Sequence, residues 1–107
     1  MNPQNGYDIE DIAVGMGAEI AKTITEADIL LFSAVSTDTN AVHLDEEFGK
    51  TTMFGGRIAH GMLSASLVSA VLGTRLPGPG VIYMSQSLRF KAPVRIGDTV
   101  HAKVTVK

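Results

Sequence analysis

The run Gly61-Met62-Leu63-Ser64-Ala65-Ser66-Leu67-Val68-Ser69-Ala70-Val71-Leu72 decides the fold. Plotted at 3.6 residues per turn, it places apolar or small side chains on every face, the pattern of a helix buried all round. Gly73 is the natural stop, and Pro77-Gly78-Pro79-Gly80 bars any further helix. Beyond it the period becomes two. Val81–Phe90 reads as a long strand, with Arg89 and Lys91 on one face, and Pro93 and Gly97-Asp98 mark a turn. Thr99–Lys107 alternates, with Val100, Ala102, Val104 and Val106 inward and Thr99, His101, Lys103, Thr105 and Lys107 outward. A buried helix followed by an antiparallel sheet is an α+β layout.

Before the helix the signals are shorter. Residues 1–6 are polar and expected to fray. Ala18–Ile24 reads as a weak strand. Thr25 lies three residues ahead of Asp28, the spacing of a hydroxyl cap with an acid in the first turn. The helix it opens runs from Glu26 to about Val35, with Ile29, Leu30 and Phe32 inside. Ser36-Thr37-Asp38-Thr39-Asn40 ends it with turn-favouring residues. Asp45–Lys50 reads as a second short helix, acidic at its start and basic at its end, and Gly55-Gly56 is a flexible approach to the apolar run.

The composition narrows the function classes. A chain of 107 residues is one domain at most. With 45% apolar and 19% charged residues it is globular. A net charge of −2 argues against a basic nucleic-acid or membrane-surface binder. Cysteine is absent, which removes disulfides, thiolate catalysis and sulfur-based metal sites. With no Trp, 4 Phe and 2 Tyr, the core must come from aliphatic side chains, and a partner surface is expected to complete it. The N-terminus has no basic and apolar signal pattern, so a cytoplasmic protein is expected.

Two segments could carry chemistry. In Asp38-Thr39-Asn40-Ala41-Val42-His43 a carboxylate and an imidazole stand five apart in a stretch read as non-helical. Five apart does not share a helix face, but a turn can aim both groups at one water, as reversible hydration requires. On spacing alone, the turn-forming reading of Asp38 and Asn40 outweighs the catalytic one. Asp45, Glu46 and Glu47 beside His43 admit a metal site, though a helix start explains three acids better. The second segment is Arg57-Ile58-Ala59-His60-Gly61-Met62. Gly61 at a helix start offers a backbone N–H to a developing oxyanion, or merely permits tight packing. Ser64, Ser66 and Ser69 are by default hydroxyls bonded back to carbonyls one turn earlier.

Taken together, "TDTNAVHLDEEF", "HGMLSASLVSAVLG" and "LPGPGVIYMSQSLRFKAPVRIGDTV", in this order and spacing, resemble the MaoC-like (R)-specific enoyl-CoA hydratases of the hot-dog fold. The resemblance runs from about Thr25 to the C-terminus. Asp-x-Asn-x-x-His followed by His-Gly at the start of an apolar helix is its specific part. It implies an antiparallel sheet wrapped around the Gly61–Leu72 helix, with further strands after residue 107 and a homodimer whose acyl-CoA site lies near the subunit boundary.

The same resemblance implies roles by residue. Asp38 and His43 match the catalytic pair, Asn40 the loop-shaping residue, and Gly61 the oxyanion-hole donor. Ser69, with Ser66 as the neighbouring alternative, matches a supporting serine. Arg57, His60, Met62, Arg89 and Lys91 are candidates for substrate contact, the cations toward phosphate, although solvated strand-face charges explain Arg89 and Lys91 as well. The implied reaction is syn addition of water to a trans-2-enoyl-CoA, giving an (R)-3-hydroxyacyl-CoA, with no metal and no cofactor beyond the coenzyme A of the substrate. A hot-dog thioesterase and a non-catalytic acyl-CoA-binding or dimerisation module are the alternatives. Where family members often have Gly before the Asp and Pro after the Asn, this chain has Thr37 and Ala41.

Overall fold

The computed structural model describes residues 6–107. In chain order the elements are a 3-10 turn at Ile9–Asp11, β1 (Gly17–Thr23), α1 (Glu26–Ser36), α2 (Ala41–Leu44), α3 (Glu46–Lys50), α4 (Gly61–Thr74) and β2 (Thr99–Thr105). β1 and β2 form a two-stranded sheet. Its pairing is antiparallel: Val106 N–H donates to the Met16 carbonyl at one end, and Ile24 N–H to the Asp98 carbonyl at the other. The Thr23 and Thr99 hydroxyls meet across it at 2.7 Å. β2 alternates as its sequence predicts, with Ala102 buried and Val100 and Val104 half-buried between exposed neighbours.

The chain divides into two compact units. One comprises the N-terminal residues to Ala21 together with Ala65–Leu88 and His101–Lys107. Its buried apolar residues are Val71, Leu76 and Ala102. Residues 1–5, where most of the expected fraying falls, lie outside the described residues; Gly6 itself is buried, and Tyr7 N–H donates to the Pro77 carbonyl at 2.7 Å.

The other unit comprises Lys22–Ser64 and Arg89–Val100. Ile24, Ile29 and Ala59 form its core, flanked by Leu44, Leu63, Val94 and Val100. α1 starts where the sequence places it. Thr25 Oγ1 accepts from Asp28 N–H, and the Asp28 carboxylate accepts from Thr25 N–H, a complete capping box. α3 also matches, with Asp45 as its cap.

Four expectations need correction. Val81–Phe90 forms no strand; alternation supplies a face but not a partner, and among the described residues β1 and β2 pair only with each other. Ile82 and Met84 therefore stand exposed. α4 is not buried all round: Val71 is its only fully buried residue and Met62 is 47% exposed, because two paired strands supply too little sheet to cover it. Gly73 does not end α4, which runs on to Thr74. In α1 the inward positions are Ile29 and Ser33, while Leu30 is exposed.

Candidate active site

The local chain around Asp38 is a sequence of caps. Thr37 closes α1 in the left-handed region, with φ 64° and ψ 9°, a conformation costly for a β-branched residue. The left-handed residue turns the chain out of the helix. Ser36 Oγ donates to the Phe32 carbonyl at 2.6 Å and accepts from Asp38 N–H at 3.1 Å. Asp38 Oδ1 then accepts from Asn40 N–H, and Asn40 Oδ1 from Val42 N–H. Asn40 thereby caps α2. The segment read as non-helical thus contains one helical turn, and His43 rides in it.

His43 is buried. Its Nδ1 lies 2.8 Å from the Ile58 carbonyl. A carbonyl only accepts, so Nδ1 carries the hydrogen, and in the neutral ring the lone pair is on Nε2. Arg57 braces this turn: its Nε–H donates to the His43 carbonyl at 2.7 Å, and its two terminal nitrogens grip the Glu26 carboxylate at 2.7 and 3.0 Å.

His60, next to α4, is 2% exposed. Its ring stacks on His43 with centroids 3.8 Å apart, and the Phe32 ring packs on it at 4.9 Å. Its Nε2 lies 3.0 Å from the Asp38 carbonyl and 3.1 Å from Ser33 Oγ.

Asp38, His43, Ile58 and His60 line one cavity of about 530 Å³, wholly within the unit formed by Lys22–Ser64 and Arg89–Val100. Asp38, His43 and His60 each bring one polar atom within 4.8 Å of the others. Two hydrogen bonds of about 2.8 Å to one water span roughly 4.6 Å, so a single solvent molecule can bridge them. An ion shared by both imidazoles would have to lie in both ring planes about 2.0–2.1 Å from each nitrogen. Stacked rings only 27° from parallel do not converge there, so the arrangement suits a water better than a metal.

Gly61, Met62, Arg89 and Lys91 also line the cavity. Gly61 has a packing reason to be glycine, since a Cβ there would lie 2.9 Å from two carbons of the Phe90 ring. As the first residue of α4, its N–H has no partner within the helix. Other candidates lie elsewhere. Arg57 does not line the cavity, its guanidinium being committed to Glu26 and His43, which corrects its reading as a phosphate contact. Ser66 and Ser69 are exposed and belong to the other unit; the α4 serine lining the cavity is Ser64. Sequence reasoning missed the tautomer-setting Ile58 carbonyl and the His43–His60 stack. The histidine before the apolar helix was the one signal for the latter.

An acid and a histidine are thus set beside a helix start in an apolar-walled cleft, with room between them for one water. The chain matches the MaoC like domain over residues 10–107 and belongs to that family. It is 66% identical over 97 residues to the (R)-specific enoyl-CoA hydratase of Rhodospirillum rubrum, covering 91% of this chain and 67% of that protein. It is 54% identical to the 3-hydroxybutyryl-CoA dehydratase of Methylorubrum extorquens, covering 91% of this chain and 62% of that one. Among solved structures it is similar to an (R)-hydratase from A. caviae involved in PHA biosynthesis, with a TM-score of 0.86 and 48% identity, over 90% of this chain and 73% of that one. The chain thus spans about two-thirds of the length of these relatives, and its α+β fold is that of the hot-dog hydratases.

Proposed function

We propose that this chain carries the hydration site of an (R)-specific enoyl-CoA hydratase, with Asp38 and His43 as the catalytic pair. The observation that carries it is the Nδ1–H bond from His43 to the Ile58 carbonyl, which leaves Nε2 free to take a proton, in a cluster where polar atoms of His43 and Asp38 lie within 4.8 Å of one another. The names of the relatives support the substrate class. In this reading a water held between the two groups attacks C3 of a trans-2-enoyl-CoA. The oxygen–C3 bond forms as one water proton passes to His43 Nε2, and that same proton, relayed by the Asp38 carboxylate, reaches C2, which leaves both side chains as they began. Because both pieces come from one water on one face, the addition is syn. Gly61 N–H receives the negative charge that develops on the thioester oxygen.

Adding water changes no net oxidation state, so the reaction calls for no redox cofactor, and the coenzyme A enters with the substrate. Arg89 and Lys91 line the cavity, and their positive charge supports a role toward the phosphates of coenzyme A. Among the described residues no helix is long and apolar enough to cross a membrane, which is compatible with a cytoplasmic enzyme. The reading extends to a homodimer, supported by the unpaired, exposed run 82–90, and light scattering tests it.

The test of the chemistry is the Asp38→Asn variant assayed by loss of enoyl absorbance with crotonyl-CoA. Turnover is expected to fall by about 100-fold or more, on the order of what one acid–base group supplies, with an unchanged melting curve. Turnover near that of the wild type removes Asp38 from the mechanism, and thiol release from a saturated acyl-CoA would favour thioester hydrolysis instead.

A further inference from the structure

His60 takes no proton in the scheme above, yet it touches both members of the reacting pair. Its Nε2 lies 3.0 Å from the Asp38 carbonyl. Because that oxygen only accepts, Nε2 carries the hydrogen, and Ser33 Oγ at 3.1 Å shares it. The tautomer is therefore opposite to that of His43, which carries its hydrogen on Nδ1. His60 Nδ1 is left buried with no hydrogen-bond partner, an arrangement that simple core filling does not call for. The ring itself is held between Phe32 and His43.

Resting on the hydratase reading, we infer that His60 is a positioning residue: its Nε2–H fixes the main chain of Asp38, and its stacked ring fixes the plane of His43. The two contacts act on different reacting groups from one side chain. They set the separation across which the bridging water must fit. The stack also places the face of one imidazole against the imidazole that gains a proton during turnover, where a π-face favours a cation. A small displacement of either group costs rate, because a bridging water tolerates little change in the gap it spans.

Two variants separate the contacts. His60→Phe keeps a stacking ring and loses the donor; His60→Gln keeps an N–H near the Nε2 position and loses the stack. With crotonyl-CoA, kcat is expected to fall at least tenfold in His60→Phe with KM within about threefold, and His60→Gln to recover part of that loss. The pH profile of kcat and the titration of His43, followed by 15N NMR, are expected to move in His60→Gln. The other titratable groups facing this cavity are Asp38, Arg89 and Lys91, so the profile is read beside the direct His43 titration. A purely structural residue would change the melting temperature and leave that titration in place. His60→Phe turning over within twofold of the wild type, with the pH profile and the His43 titration unchanged in His60→Gln, overturns the inference. If neither variant folds, the wild-type chain decides through its 15N shifts: the Nε2–H tautomer of His60 is expected, and the Nδ1–H tautomer refutes it. A wild-type chain that hydrates no enoyl-CoA sinks the hydratase reading instead, and the NMR measurements still decide the role of His60.

Discussion

Replacing Arg57 with alanine removes three interactions at once. The guanidinium forks onto Glu26 at 2.7 and 3.0 Å, and its Nε–H donates to the His43 carbonyl at 2.7 Å. Its side chain is 12% exposed, whereas that of Glu26 is 50% exposed. The ion pair is therefore half-solvated and contributes only about 0.2–1 kcal/mol. The carbonyl is the larger matter. A partly buried acceptor stripped of its donor costs about 1–3 kcal/mol. The sum is about 1–4 kcal/mol, and at about 4–8 °C per kcal/mol for a domain of this size the melting temperature should drop by roughly 5–30 °C. Arg57→Lys keeps the charge but cannot serve both partners in a fixed plane, so it should lose more than half as much. Glu26→Gln should lose under about 1 kcal/mol, the exposed share alone. Thermal melts by circular dichroism, with urea midpoints at constant slope, measure all three. A melting temperature for Arg57→Ala close to that of the wild type would refute the claim that this side chain holds the histidine turn in place.

Three further outcomes follow from other positions. Thr37→Gly should raise stability by about 0.5–1 kcal/mol, since it relieves the left-handed strain of a β-branched residue at φ 64° and gives back part of the gain as chain entropy; a lower melting temperature would contradict this. Gly49→Ala places a Cβ 2.5 Å from the Gly56 carbonyl carbon and 2.7 Å from Arg57 N, all backbone. It should cost about 1–3 kcal/mol despite better helix propensity, read as a lower urea midpoint. The Lys22 ammonium, bonded to the Asp28 carboxylate at 2.7 Å, and the Thr25 N–H hold that carboxyl below its ordinary value. Its contribution is therefore complete above a pH of about 4 and disappears as the pH falls through the lowered value. The stability difference between wild type and Asp28→Asn should accordingly be largest near neutral pH and vanish in strong acid. A difference that stays constant down to the lowest pH would show that charge is not its source.

Local chemistry was legible in the sequence, and pairing was not. The Thr25–Asp28 box, the Asp45 start of α3 and the alternation of β2 each depend on neighbours a few residues apart, and each is observed. The α2 turn escaped notice because Asn40 serves equally as a turn former and as a helix cap, and only the Val42 N–H bond separates the two. Val81–Phe90 alternates as a strand should, but alternation does not name the strand it will join. In the site, the spacing of Asp38 and His43 suggested a common target, and their polar atoms do converge. The commitment of Arg57 to Glu26 spans 31 residues, and the His43–His60 stack depends on how two turns meet in space. Neither leaves a periodic trace.

Asp38, His43, His60 and Ser64 all reach the cleft from one stretch of chain, residues 38–64, while a second stretch, Arg89–Val94, completes its lining. Substitutions in that second stretch can therefore reshape the space of the cleft while leaving the hydrogen bonds that seat Asp38, His43 and His60 in place.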